Sequence, residues 1–323
     1  MKKTLIALAA VAATGAAFAQ SSVTLYGVAD VAVGKTNAAG LGLANDKFQA
    51  IASNVLNNGN SRFGLRGTED LGGGLKAAFN FEGGINIANG AGNTSGGQLF
   101  SRAANVSLMG GFGEIRAGRS LTTSFYSVAS WELTGTANYS VVANQFAFGG
   151  QGPRSSAQVM YNSPSFGGLT VSASTVLKAN GGIDAAATAD KSKYDLALTY
   201  AAGPLTASFA YNKWSSMDAS YVLGGKYNFG AFAVAGSYNN VGVTGADDKK
   251  GFTLGVSAPM GPVTLTADIA RATNAAYKNT DFLLEAKYAL SKRTFAYAVY
   301  MRDGAVAGGK SVNGYAVGVR HNF

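Results

Sequence analysis

Apolar and polar residues alternate along this chain in segments of roughly ten residues, and the last segment ends on Phe323. Val23, Leu25, Val31 and Val33 share one parity, against Thr24, Tyr26 and Asp30. Leu75, Ala77, Phe79 and Phe81 oppose Lys76, Asn80 and Glu82. Later segments repeat the pattern. Tyr194, Leu196, Leu198 and Tyr200 oppose Asp195 and Thr199. Phe252, Leu254 and Val256 oppose Thr253 and Ser257. Phe295, Tyr297, Val299 and Met301 oppose Thr294 and Arg302, and Tyr315, Val317, Val319, His321 and Phe323 oppose Arg320. A period of two is the signature of a strand with unlike faces. Sixteen such strands are predicted, over 22–34, 61–69, 74–85, 99–108, 113–119, 154–163, 167–178, 193–201, 204–213, 220–229, 231–240, 250–258, 262–271, 281–290, 293–302 and 312–323. Short Gly- or Pro-rich turns (Gly72–Gly74, Gly110–Gly111, Pro164–Gly167, Gly203) alternate with longer, more polar connections.

Composition decides what the alternation means. Hydrophobic residues make up 47% of the chain and charged residues only 13%, yet past the N-terminus no uncharged apolar run is long enough for a transmembrane helix. Apolar groups on every second residue can satisfy the backbone in lipid only as a closed β-barrel. The expected fold is therefore all-β: a transmembrane antiparallel barrel of sixteen strands, with both termini on the side of the short turns. A soluble sandwich also alternates, but rarely needs sixteen strands. Tyr200, Tyr211, Tyr227, Phe229, Tyr288, Tyr297 and Phe323 lie near strand ends, as interfacial girdles or as ordinary strand residues.

Met1 to Ala19 reads as a cleaved signal peptide: Lys2 and Lys3, the apolar run Leu5 to Val11, then Ala17-Phe18-Ala19 before Gln20. The run is too short for a membrane anchor. Residues 20–323 form one domain, with no composition shift to mark a second. Without the leader, 24 basic groups stand against 17 acidic ones, a surplus of seven. An exported chain with that surplus meets an acidic membrane surface or anionic solutes rather than nucleic acid. There is no cysteine, and the single histidine, His321, falls on the outward face of the last strand. Without a His pair or an HExxH motif there is little for hydrolytic or metal chemistry to use, and no cofactor or metal is expected.

Four stretches, QSSVTLYGVADVAV (Gln20–Val33), SRFGLRGTEDLGGGLKAAFNFEGG (Ser61–Gly84), GFGEIRAGR (Gly111–Arg119) and YAVGVRHNF (Tyr315–Phe323), resemble trimeric general-diffusion porins of the Gram-negative outer membrane, in their beta-proteobacterial branch. The resemblance runs the length of the chain. It implies a homotrimer among outer-membrane lipid and lipopolysaccharide, a third loop folded into the lumen, and a C-terminal Phe323 read by the barrel-assembly machinery. Trimer contacts would fall on strands 1–5 and 16. Ala103, Asn105 and Ser107, taken as outward, would make that surface unusually polar.

The longest connection, 120–153, holds one acid, Glu132, and no Lys or Arg. It is apolar for a solvated loop: Phe125, Tyr126, Val128, Trp131, Leu133, Tyr139, Val141, Val142, Phe146 and Phe148 all need a surface to pack on. It either caps the mouth from outside or, as the resemblance implies, folds inward as the constriction loop. The PEFG motif that the resemblance implies there is missing; Asn144-Gln145-Phe146 and Phe148-Gly149-Gly150 occupy the region. Six of the ten arginines lie between Arg62 and Arg154. Parity turns Arg62, Arg66 and Arg154 into the lumen. Arg102 shares parity with Val106 and Leu108, so alternation turns it outward, whereas the resemblance turns it inward. By resemblance Arg62, Arg102 and Arg154 form the basic wall of the constriction, with Glu132 the one acid opposite. Arg66, Arg116, Lys76, Glu82 and Asp30 are further lumen charges. Each arginine either pairs with a lumen acid such as Glu82 or Asp30, or adds to a fixed positive field that selects anions.

The function expected is a passive outer-membrane diffusion channel for small anionic and neutral solutes, with anion preference. A substrate-specific anion channel, an outer-membrane barrel enzyme and a plugged structural barrel are the alternatives.

Overall fold

A computed structural model describes residues 22–323, apart from 38–42, 44–46, 94–96, 149–151, 178–191, 215–216, 275, 277 and 305–310. The leader Met1–Ala19 and the cleavage point before Gln20 lie outside the described residues. Sixteen long strands follow one another: β1 (Ser22–Thr36), β2 (Arg62–Gly72), β3 (Leu75–Ile85), β4 (Ala103–Gly110), β5 (Gly113–Leu121), β6 (Arg154–Asn162), β7 (Leu169–Val176), β8 (Lys193–Ala202), β9 (Leu205–Trp214), β10 (Ser220–Asn228), β11 (Ala233–Val241), β12 (Lys249–Met260), β13 (Val263–Ala272), β14 (Asn279–Ala289), β15 (Thr294–Asp303) and β16 (Val312–Asn322). Each pairs antiparallel with the next. The sheet closes where β16 meets β1, from Val28 opposite Asn322 to Thr36 opposite Gly314. Two short strands in long loops, Gln49–Ile51 and Gly92–Asn93, pair with β1 and β3. Closure gives every strand two partners, so the barrel has no open edge, the condition for a sheet in lipid.

The sixteen predicted strands are all present, with ends shifted by a few residues. At the turn from β2 to β3, Gly72, Gly73 and Gly74 have φ of 84°, 60° and 81°. Three left-handed residues in a row are open to glycine at no steric cost, which is why this hairpin can be so tight. The seam is finished by Phe323, whose N–H donates to Gly27 O (3.1 Å) while its carbonyl accepts from Gly27 N (3.0 Å).

The outward parity follows the alternation on most strands. Val23, Leu25, Leu196, Leu254 and Val317 stand exposed on the outside, as do the girdle rings Tyr200, Tyr211, Tyr227, Phe229, Tyr288 and Phe323. Two expectations are corrected. On β15 the apolar parity faces inward: Tyr297, Val299 and Met301 are buried against Ile51 and Leu56 of the first long loop and Tyr139 of the third. Loops filling the lumen make an apolar inward face favourable there, so Tyr297 is no girdle ring and Arg302 points outward. On β4, Ala103, Asn105 and Ser107 face the lumen and share a cavity with Arg66, Glu82 and Arg116. The outside of that region is formed by Val106, Leu108 and Ile115.

The connection from β5 to β6 folds into the barrel. Helix α1 (Thr123–Ala129) is capped by Thr122, whose hydroxyl accepts from Phe125 N, and α2 (Val141–Phe146) by Ser140. The wall opposite holds the loop at both helices. Asp195 accepts from Ser124 N (3.0 Å) and Ser124 Oγ (2.6 Å). Trp131 Nε1 donates to Ser208 Oγ (3.0 Å). Val128, Trp131 and Val142 bury themselves on Ala197, Ala210, Val222 and Ala235. The wall residues are small because the loop brings the volume: a Cβ on Gly224 would sit 2.4 Å from Trp131 Cζ2. Farther along, Tyr139 donates to Glu285, Lys287 Nζ donates to Thr134 O (2.8 Å), and Gln145 bonds Asn279. Burial, and then the Glu285 carboxylate, push the Tyr139 hydroxyl well above the usual phenol value, so it remains a donor. The apolar residues of the loop thus find the surface they need inside the lumen rather than over the mouth.

Candidate pore constriction

Folding the loop across the lumen leaves the channel on the side of β1–β6 and β16. Two cavities lie there. One, the upper cavity, of about 500 Å³, opens toward the long loops and is lined by Arg62, Arg102, Arg154, Arg320 and Glu82, with Asn58, Asn60, Asn138 and Asn144 from the loops. The other, of about 390 Å³, opens toward the short turns and includes Arg66, Arg102, Arg116, Arg154, Glu82 and Glu114. Glu82, Arg102, Leu121 and Arg154 line both, so the two cavities meet at these four residues.

Glu82 ties two of the arginines together. Its carboxylate accepts from Arg102 Nε at 2.7 Å and lies 3.4 Å from Arg62 Nε. Tyr26 adds a hydroxyl donor at 3.0 Å. Arg154 Nε donates to the Arg102 carbonyl at 3.0 Å. Arg102 therefore points inward. The strand begins only at Ala103, so the pleat that would turn Arg102 outward does not reach it, and its backbone N–H is held by Glu82 O at 3.1 Å. The parity argument fails by one residue, at an element boundary.

The other predicted residues are dispersed. Arg66 lies over the Tyr26 ring at 4.9 Å. Arg116 makes a forked pair with Glu114 at 2.9 Å and donates to Tyr126 Oη at 3.0 Å. Lys76 is exposed near the Gly72–Gly74 turn. Asp30 is fully buried: it accepts from Tyr297 Oη (2.7 Å), Asn57 Nδ2 (2.9 Å) and Gly59 N (3.0 Å), fastening the first long loop to the wall. Glu132 is not brought to the arginines. It is buried on the wall side of the loop and accepts from Thr134 Oγ1 (2.6 Å) and Thr136 N (2.7 Å). The one carboxylate of the loop turns to the nearest donors, here the Thr134 hydroxyl and the Thr136 N–H of the same loop. Gly149 and Gly150 lie outside the described residues.

Arg320 is the residue that reading for a ladder passes over. It stands opposite Asp30 across the barrel seam and donates from Nη1 to Asn58 Oδ1 at 2.7 Å. Its inward parity in the last strand was the signal. Among the described residues, four guanidiniums and one carboxylate thus line the upper cavity, with the Asp30 carboxylate buried opposite Arg320, and guanidiniums do not lose their protons in proteins.

Comparison with known proteins gives one consistent result. The sequence profile of the Gram-negative porin family matches residues 4–308. The chain is 34% identical over 362 residues to outer membrane porin protein 32 of Delftia acidovorans, covering the whole of both chains. It is 30% identical over 388 residues to an outer membrane porin of Bordetella pertussis, again over the whole of both. Among solved structures, an anion-selective porin from Comamonas acidovorans superposes with a TM-score of 0.74 at 28% identity, covering 94% of this chain and 100% of that one.

Proposed function

The chain belongs to the Gram-negative porin family and is an outer-membrane porin; we propose that its channel passes small hydrophilic solutes passively, without chemical turnover, and prefers anions. The observation that carries the preference is the charge lining the upper cavity: Arg62, Arg102, Arg154 and Arg320 line it with Glu82 as the one lining acid among the described residues, Asp30 is buried opposite Arg320, and Glu132 is turned away. A fixed positive field in a water-filled passage raises the local concentration of anions and lowers that of cations. The relation to a protein described as an anion-selective porin points the same way.

Arg62, Arg102 and Arg154 set the selectivity, with Arg320 as a fourth contributor. Glu82 holds two of them in place. The protomers form a homotrimer in contact with outer-membrane lipid and lipopolysaccharide. Family membership supports the trimer; the outward faces of β4 and β5, Val106, Leu108 and Ile115, are those of any lipid-facing wall. Phe323 is the signal for the barrel-assembly machinery, consistent with its place at the seam where the last strand closes on the first. The leader 1–19 is removed on export.

The test is the reversal potential of purified protein in a potassium chloride gradient. Its sign should be that of chloride permeability at low salt and its size should shrink in molar salt. Cation preference would overturn the reading. A substrate-specific channel would show chloride current saturating at low concentration; a general one would not.

A further inference from the structure

The side of the passage formed by the long loop carries no acid among its described lining residues; beside Thr136, Asn138 and Asn144 it carries rings. Phe125 and Phe148 lie with centroids 4.5 Å apart, and Phe125 meets Tyr126 edge-on at 6.2 Å. Phe125 and Phe148 line the upper cavity, and Tyr126 lines the lower one. The three rings thus form one strip on the loop that passes from one cavity to the other. All three are partly open to the lumen, unlike Trp131 and Phe146, which the wall buries. Phe148 is reached through two non-glycine residues with left-handed backbone, Ala147 (φ 46°) and Phe148 itself (φ 56°). Such strain persists only where the surroundings hold it, and here it sets the Phe148 ring against Phe125.

Leu121 and Pro153 at the feet of the loop extend the apolar side of the upper cavity, and Arg102 and Arg154 face it. A solute passing at the level of Leu121 and Phe125 meets guanidiniums on one flank and an apolar strip on the other, with Thr136, Asn138 and Asn144 beyond the strip. Resting on the anion preference proposed above, we propose that this passage favours amphiphilic anions: carboxylates bearing an aromatic or other compact apolar group, the carboxylate on Arg102 and Arg154 and the apolar group on the Phe125–Phe148 strip. A hydrophilic anion of equal charge uses only one flank. Covering about 60 Å² of ring surface corresponds to about tenfold in affinity.

The experiment uses the purified full channel in planar bilayers. Chloride current is recorded while benzoate or acetate is added, after the salt-gradient measurement has established the sign of selectivity. Benzoate should half-inhibit the chloride current at about a tenfold lower concentration than acetate. Phe125→Leu, which keeps apolar surface, should retain most of the difference. The double variant Phe125→Asn, Phe148→Asn should abolish it, and Arg154→Ala should weaken both anions alike. Equal half-inhibiting concentrations in the unaltered channel would overturn the inference, as would a tenfold difference that survives the double variant. The unaltered-channel comparison needs no substitution, so misfolding of a variant cannot shelter the proposal. Chloride preference without a benzoate advantage would remove this inference alone; cation preference in the salt gradient would remove the proposed function.

Discussion

Replacing Arg154 by alanine removes one positive charge at the junction of the two cavities, and its effect can be worked from elementary electrostatics. A unit charge about 5 Å from a passing ion contributes about 0.8 kcal/mol in water, reduced to about 0.5 kcal/mol by screening at 0.1 M salt. That raises chloride by about 2.3-fold and lowers potassium by the same factor, so Arg154→Ala should cut the chloride-to-potassium permeability ratio about fivefold. Arg154→Glu shifts the charge by two and should cut it about 25-fold. At 1 M salt the alanine effect should fall to less than about twofold, because the screening length is then about 3 Å. Low-dielectric walls strengthen the field, so these factors are floors. The hydrogen bond lost from Arg154 Nε to the Arg102 carbonyl is worth about 1 kcal/mol in a wet site, too little to unfold the barrel. The assay is the reversal potential in a salt gradient at both ionic strengths. Arg302 is the control: it lies on the outer face of β15, near a long-loop end, and Arg302→Ala should leave the ratio unchanged. Equal effects from Arg154 and Arg302, or a shift from Arg154→Ala that is as large in molar salt, would refute the reasoning.

Further outcomes follow from the same geometry. Glu82→Gln removes the one carboxylate facing the upper cavity and should raise chloride preference about fivefold in 0.1 M salt; a fall would mean that Glu82 matters mainly for holding Arg62 and Arg102. Trp131→Ala should weaken the docking of the loop by about 3–5 kcal/mol, read as noisier, altered conductance and a lower melting temperature in detergent. Gly224→Val should do the same from the wall side, because a Cβ there would collide with the indole; unchanged conductance in both would mean the loop is held elsewhere. Tyr139→Phe deprives Glu285 of a donor and should cost about 1.5–3 kcal/mol of stability, measured by thermal unfolding. Deleting Phe323, or replacing it by Asp, should sharply reduce insertion into the outer membrane; normal assembly of both would sink its role as a signal.

The barrel was legible in the chain itself, because lipid on one side and water on the other impose opposite demands on successive residues, and that demand repeats on every strand. The strand number, the tight Gly72–Gly74 turn and the inward course of the basic residues on β2 and β6 follow from this local rule. The rule fails where the lumen is not water. On β15 the loops fill the interior, so Tyr297, Val299 and Met301 turn inward and a girdle residue becomes a core residue. It also fails at element ends: Arg102 escapes the pleat by one position and joins Arg62 on Glu82. The apolar content of the long loop announced that it needed a wall. Which wall it found, which way Glu132 turned, and that Arg320 from the last strand would join Arg62 and Arg154 from two earlier strands and Arg102 from the end of a loop depend on contacts between residues far apart in the chain, which only the closed barrel brings together.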